Sequence, residues 1–172
     1  GTSGYVQVKI QGGNVSSAIY GGGNQADTTA VYLTLTSCNN TVTEIYGGGK
    51  SASVGQTYIY CNGVNATKVF GGSNTAGTVT TSNVYGYGGT FGTVYGGNNA
   101  GGSCGSTNVT IGGTTITSAA YGGGNQVATD TTQVHINSSN ATIPAVYGGG
   151  DNGTVTTSSV YIAGATSTDV YG

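Results

Sequence analysis

Apolar and polar residues alternate with period two in seven short stretches of the chain: Val8-Lys9-Ile10, Leu33-Thr34-Leu35, Ile59-Tyr60-Cys61, Val84-Tyr85-Gly86, Val109-Thr110-Ile111, Val134-His135-Ile136 and Val160-Tyr161-Ile162. Alternation of this kind marks a half-buried strand. The second apolar position recurs as Ile10, Leu35, Cys61, Gly86, Ile111, Ile136 and Ile162, in steps of 25 or 26 residues. A second strand is expected to run into an aromatic residue followed by glycines. The place before the ring is always apolar and is expected inward: Ile19, Ile45, Val69, Val94, Ala120, Val146 and Val170. The place before that is small, polar or charged and is expected outward. It sets Glu44 beside Lys68 on adjacent coils, where an exposed ion pair of small worth is expected.

The ring column is Tyr20, Tyr46, Phe70, Tyr95, Tyr121, Tyr147 and Tyr171, with steps of 26, 24, 25, 26, 26 and 24 residues. A fixed period in this range signals a repeat architecture. The two columns step together, so the glycine phrase reads as the corner of each coil. Glycine is expected there for positive φ. The next column is Asn24, Lys50, Asn74, Asn99, Asn125 and Asp151. Its asparagines (Asn24, Asn74, Asn99, Asn125) are expected to form a side-chain ladder at a structural turn. The stretches 27–30, 51–56, 100–106 and 128–132 vary in length and read as a third side with loops. A short third strand is plausible at Thr78-Val79-Thr80 or Thr154-Val155-Thr156. The predicted fold is all-β: a right-handed parallel β-helix, or β-solenoid, of about seven coils of about 25 residues in one domain spanning 1–172. At about 4.8 Å per coil the rod is roughly 34 Å long.

The phrases Ile19-Tyr-Gly-Gly-Gly-Asn24 and Val146-Tyr-Gly-Gly-Gly-Asp151 are joined by segments such as Asn108-Val-Thr-Ile-Gly-Gly113. They resemble the Gly-rich "VYGGGN" repeats of large bacterial cell-surface β-helix proteins of adhesin-like type. The resemblance covers essentially the whole chain. It implies secretion and display at a cell surface, and it brings no catalytic residues with it.

Composition narrows the function. The chain holds 35 glycines among 172 residues, three Lys or Arg against five Asp or Glu, and a net charge of −2. No basic patch exists for nucleic acid, and no apolar run is long enough for a membrane helix. The acids Asp27, Glu44, Asp130, Asp151 and Asp169 are scattered, and His135 alternates outward with no partner evident, so no catalytic centre is expected. Regular calcium sites are not expected either, because the period is not nine and most copies lack the Asp. No cofactor is expected. Cys38, Cys61 and Cys104 lack metal-ligand spacing and read as small buried residues, although Cys38 and Cys61 lie one coil apart and could pair.

Two functions remain. The chain has 13 Tyr and no Trp. Tyr32, Tyr58, Tyr60, Tyr85 and Tyr161 fall at outward places of the first strand and form a candidate ligand or assembly surface. The leading expectation is an extracellular structural or adhesive solenoid: a segment of a longer rod, or a subunit stacking end to end on itself, since neither terminus carries a recognisable cap. The alternative is a carbohydrate-binding module that uses the tyrosine columns. Ice binding needs Thr-x-Thr ranks, and the strand columns mix Thr with Gln, Lys, Asn, His and Tyr, so it is not expected. Glycosylation acceptors occur at Asn14, Asn39, Asn65, Asn108, Asn137, Asn140 and Asn152.

Overall fold

The computed structural model describes residues 3–38, 41–137 and 142–172; Asn39 and Asn140 lie outside these. The described chain is a parallel β-solenoid, and no helix occurs in it. One side is built from β1 (Ser3–Gln11), β3 (Thr28–Thr36), the first parts of β5 (Val54–Phe70) and β6 (Thr78–Tyr95), β7 (Ser103–Ile111), β9 (Thr129–Ile136) and β11 (Val155–Ile162). The other is built from β2 (Ala18–Tyr20), β4 (Thr41–Tyr46), the later parts of β5 and β6, β8 (Thr115–Tyr121), β10 (Thr142–Tyr147) and β12 (Thr166–Tyr171). Each side thus has seven rungs with six steps between them, and the chain makes about 6 turns, slightly fewer than the repeat count suggested.

Every strand pairing is parallel, and the register follows the expected columns. Ile10, Leu35, Cys61, Gly86, Ile111, Ile136 and Ile162 pair in succession. Leu35, Cys61, Ile111 and Ile136 are fully buried. Gly86 leaves a gap in this column, and the buried Phe91 ring stands against it. The two apolar columns meet in one continuous core with Ile45, Val69, Val94, Ala120 and Val146. Alternation makes this possible, because it sends every second side chain of both sides inward.

The third side is not a separate strand. Thr78-Val79-Thr80 begins β6, and Val155 begins β11, so the segments read as a third side largely extend the first. In β5 and β6 the two sides are even one continuous strand of 17 and 18 residues. The bend within each falls at left-handed glycines, Gly63 (φ 65) and Gly88 with Gly89 (φ 80 each).

Candidate functional surfaces

The corner differs from its expected form in one physical respect. None of the glycines following the ring column has positive φ; the left-handed glycines lie elsewhere. These glycines are required by close approach. A Cβ on Gly21 would stand 2.6 Å from the Gly47 carbonyl oxygen, and Gly47, Gly71, Gly96 and Gly122 face the oxygen of the next corner in the same way. The coils are stitched here by backbone bonds: Gly47 N–H donates to the Phe70 carbonyl at 2.9 Å, Gly71 to Tyr95 at 2.8 Å and Gly122 to Tyr147 at 2.8 Å.

A column of buried hydroxyls, absent from the sequence reading, pins the corner from inside. Thr57 donates to the Gly71 carbonyl at 2.6 Å, Ser82 to Gly96 at 2.6 Å, Thr107 to Gly122 at 2.6 Å and Thr132 to Gly148 at 2.5 Å. A buried carbonyl without such a donor is costly. The clue was present: Val31, Thr57, Ser82, Thr107, Thr132 and Ser158 share one inward column, and it turns from apolar to hydroxyl at Thr57. Asn98 plays a related part in one coil. Its fully buried amide accepts the Ser73 N–H at 2.9 Å and donates to the Gly77 and Gly101 carbonyls, each at 3.0 Å.

The ring column forms one stack. Tyr20, Tyr46, Phe70, Tyr95, Tyr121, Tyr147 and Tyr171 follow each other at centroid distances of 4.7–5.0 Å, with interplanar angles of 4–9°. The stack is a second apolar cluster separate from the core, so the rings point away from the interior. Tyr46 and Phe70 are nevertheless fully buried. The asparagine column lies along the ring hydroxyls. Asn74 donates to the Tyr20 hydroxyl at 3.0 Å and Asn99 to the Tyr46 hydroxyl at 3.2 Å. Between themselves, Asn99 donates to Asn74 and Asn125 to Asn99, each at 2.8 Å. Asn24 is exposed and is separated from this run by Lys50, so the ladder spans Asn74, Asn99 and Asn125 only.

Glu44 and Lys68 are register partners, as expected. The Glu44 carboxylate is taken by the Tyr46 hydroxyl at 2.9 Å, however, and not by the ammonium of Lys68. The buried Tyr46 needs an acceptor for its phenol, whereas the half-buried Lys68 can keep its ammonium in water. Burial, and then the neighbouring Glu44, raises the Tyr46 pKa. Burial followed by the Asp151 carboxylate pushes Tyr95 up to about 12. The three thiols are free and buried, so Cys38 and Cys61 do not pair. Burial pushes Cys61 and Cys104 up to about 12.

These shifts give a prediction. A phenol or thiol that keeps its proton longer in the fold than in the unfolded chain makes the unfolded chain release protons first. Stability is then fully present below the unfolded pKa values, 9.0 for thiols and 10.0 for phenols, and is lost as pH rises toward about 12. Circular dichroism is expected to show alkaline unfolding between those limits and a flat response from pH 6 to 8. A thiol-specific chromogenic reagent is expected to leave all three cysteines unlabelled at neutral pH until denaturant is added.

The outward tyrosines that lie outside the ring column belong to the first side. Tyr32, Tyr60 and Tyr161 are exposed, and Tyr58 and Tyr85 are half-buried. Two rings missed by the sequence reading join them. Tyr5, 73% exposed, meets Tyr32 edge-on at 6.2 Å, and Tyr87 packs on Tyr60 at 5.4 Å. Tyr60 thus contacts the ring two places beyond its register partner Tyr85. Tyr161 stands apart on the last coils, beside His135 at 6.0 Å. Tyr32 and Tyr58 stack at 5.0 Å and 3°, so their faces cover one another.

On the second side, three successive coils align Thr41-Val42-Thr43, Asn65-Ala66-Thr67 and Thr90-Phe91-Gly92; in the next coil Thr115 and Ile116 pair with Thr90 and Phe91, and the register shifts before Thr93, which pairs with Ala119. The middle residue of each is buried in the core. The flanking residues are exposed or half-buried and carry no charge.

No family model matches the chain, and no curated protein and no solved structure matches it.

Proposed function

We propose that this chain is an extracellular structural or adhesive β-solenoid, a rigid rod displayed at a cell surface whose coils can be extended head to tail. The observation that carries the reading is the unbroken stack from Tyr20 to Tyr171, in which each coil presents the next with the same rings, glycines and core columns. The last coil repeats these columns with less cover. Val146 is fully buried, whereas Val170 and Tyr171, one coil on, are each 51% exposed. A further coil, in the same chain or in a second copy, would bury them. A contact of that kind is heterologous and does not close, so it extends a rod. Scarce charge and the likeness of the repeat phrases to surface β-helix proteins support display outside the cell.

Carbohydrate capture by the tyrosine columns has less in its favour. Stacking on a sugar needs an open ring face, and the Tyr32–Tyr58 pair offers edges and hydroxyls instead.

The test uses Gly149. A Cβ there meets nothing within 4 Å, whereas its counterpart Gly123 is crowded by Gly150 of the following coil. Gly149→Ala is therefore expected to fold normally and to block stacking onto the last coil. Electron microscopy of the concentrated protein is expected to show rods of one solenoid width that lengthen with concentration, and Gly149→Ala is expected to shorten them. Wild-type particles that stay one chain long at every concentration would remove the self-stacking version. Immunogold labelling that finds the protein only inside the source cells would remove surface display.

A further inference from the structure

The first side holds one tyrosine pair unlike the stacked ones. Tyr60 and Tyr87 meet at a centroid distance of 5.4 Å with their planes tilted by 39°. Tyr32 and Tyr58 lie at 3°, and the ring column at 4–9°, so those rings present faces to each other. Tyr5 meets Tyr32 edge-on, but at 6.2 Å. The tilted pair spans neighbouring coils. Tyr60 is in register with Tyr85, and Asn62 with Tyr87, so the two rings lean together diagonally across the face. Tyr87 is held from its other side. A Cβ on Gly112 of the following coil would stand 2.5 Å from its Cε1 and 2.7 Å from its Cδ1, so that edge of the ring lies on Gly112. The opposite edge, which carries Cε2, is turned toward the coil of Tyr60. Tyr60 is 40% exposed and Tyr87 is half-buried, so the pair is open to solvent.

The chain has 13 Tyr but no Trp and no Met, and all three thiols are buried. Tryptophan, methionine and exposed thiols would compete for an oxidant, so oxidation of this surface falls on phenols. We propose that Tyr60 and Tyr87 are an oxidative cross-linking site, joined Cε to Cε as dityrosine by a peroxidase-type one-electron oxidant that consumes hydrogen peroxide. Each phenol gives up one electron and its hydroxyl proton. The two phenoxyl radicals pair their electrons in a new carbon–carbon bond between ortho carbons. The hydrogen on each bonded carbon then moves to the ring oxygen and restores a phenol. The peroxide takes the two electrons and two protons and leaves as two waters. The finished bond joins ring edges in twisted planes. A tilted pair with a free edge on an open face reaches it by a small swing, whereas rings clamped between neighbours on both faces do not. The bond closes a loop between positions 60 and 87 and ties the third coil to the fourth, so the two stay together when their strand hydrogen bonds open.

The experiment uses the full chain, dilute, with a haem peroxidase and limiting hydrogen peroxide as the probe. Lysines stand only at 9, 50 and 68 and arginine is absent, so trypsin cuts the denatured product into 1–9, 10–50, 51–68 and 69–172. Tyr60 and Tyr87 fall in the last two fragments. Wild type is expected to yield a monomer two hydrogens lighter, with dityrosine fluorescence, in which 51–68 and 69–172 stay joined. Tyr60→Phe and Tyr87→Phe are each expected to lose that link, and Tyr58→Phe and Tyr161→Phe to keep it. Melting curves confirm that each variant is folded. A link that survives Tyr60→Phe overturns the proposal, as does its absence from wild type. Fragments 10–50 and 51–68 joined instead would assign the coupling to Tyr32 and Tyr58 and also overturn it, as would dityrosine found only between chains.

Discussion

Phe70→Ala is expected to destabilise the protein by about 3–5 kcal/mol and to lower its melting temperature by on the order of 10 °C. Phe70 is fully buried and sits within the stack, 4.8 Å from Tyr46 and 4.9 Å from Tyr95. Removing it forfeits the transfer free energy of a large side chain. It also breaks two ring contacts, each worth about 0.5–1.5 kcal/mol beyond burial. The flanking rings cannot collapse into the gap, because each is tied to a strand whose register the core holds. Phe70→Tyr supplies the contrast. Asn74 and Asn99 reach ring hydroxyls two coils below them, at Tyr20 and Tyr46. Asn125 stands in the same relation to position 70, so the added hydroxyl has a donor and the change is expected to stay within about 1 kcal/mol. Urea unfolding of both variants checks this. A Phe70→Ala variant as stable as wild type would mean that the stack is ornament and the core alone holds the coils.

Gly71→Ala is the second large effect, expected at about 3 kcal/mol. The new methyl would stand against the Ser82 hydroxyl and the Gly96 carbonyl oxygen, the two partners of a buried 2.6 Å hydrogen bond. The coil must shift or give up that bond, and either leaves polar groups poorly paired. Gly149→Ala tests the cause. It lies one place further along its own phrase, as the second glycine after Tyr147, but meets nothing within 4 Å, and neither glycine has positive φ. It is expected to be neutral, or stabilising by up to about 1 kcal/mol through a less flexible unfolded chain. If both substitutions were equally harmful in thermal melts, backbone conformation and not close approach would explain the glycines.

Much of the architecture was legible because a solenoid repeats one local rule. Period-two alternation fixes which side chain of each strand turns inward, and a constant step fixes which residues become neighbours. The pairings of Glu44 with Lys68, Ile10 with Leu35 and Asn74 with Asn99 needed nothing more. The third side was misread for a related reason. Thr78 and Thr129 follow loops of unequal length, and their membership of the first side is decided by pairing with the neighbouring coil rather than by local pattern. The threonine-bearing segments of the second side escaped because the second strand was bounded at its last residues before the ring. The recurrence of Thr41-Val-Thr43 and Thr115-Ile-Thr117 was the available signal.

The sequence by itself determined the coil period, the inward columns and the order in which rings and asparagines stack, since each depends on spacing along the chain. Only the tertiary structure decided why the corner needs glycine, where the rings lie and what their hydroxyls touch. Those answers depend on distances between coils: a carbonyl oxygen of the next coil within 2.6 Å of where a methyl would be, a hydroxyl 2.6 Å from a corner carbonyl, an amide two coils from a phenol. No spacing within a single repeat carries that information, because the neighbour that excludes the side chain belongs to another turn.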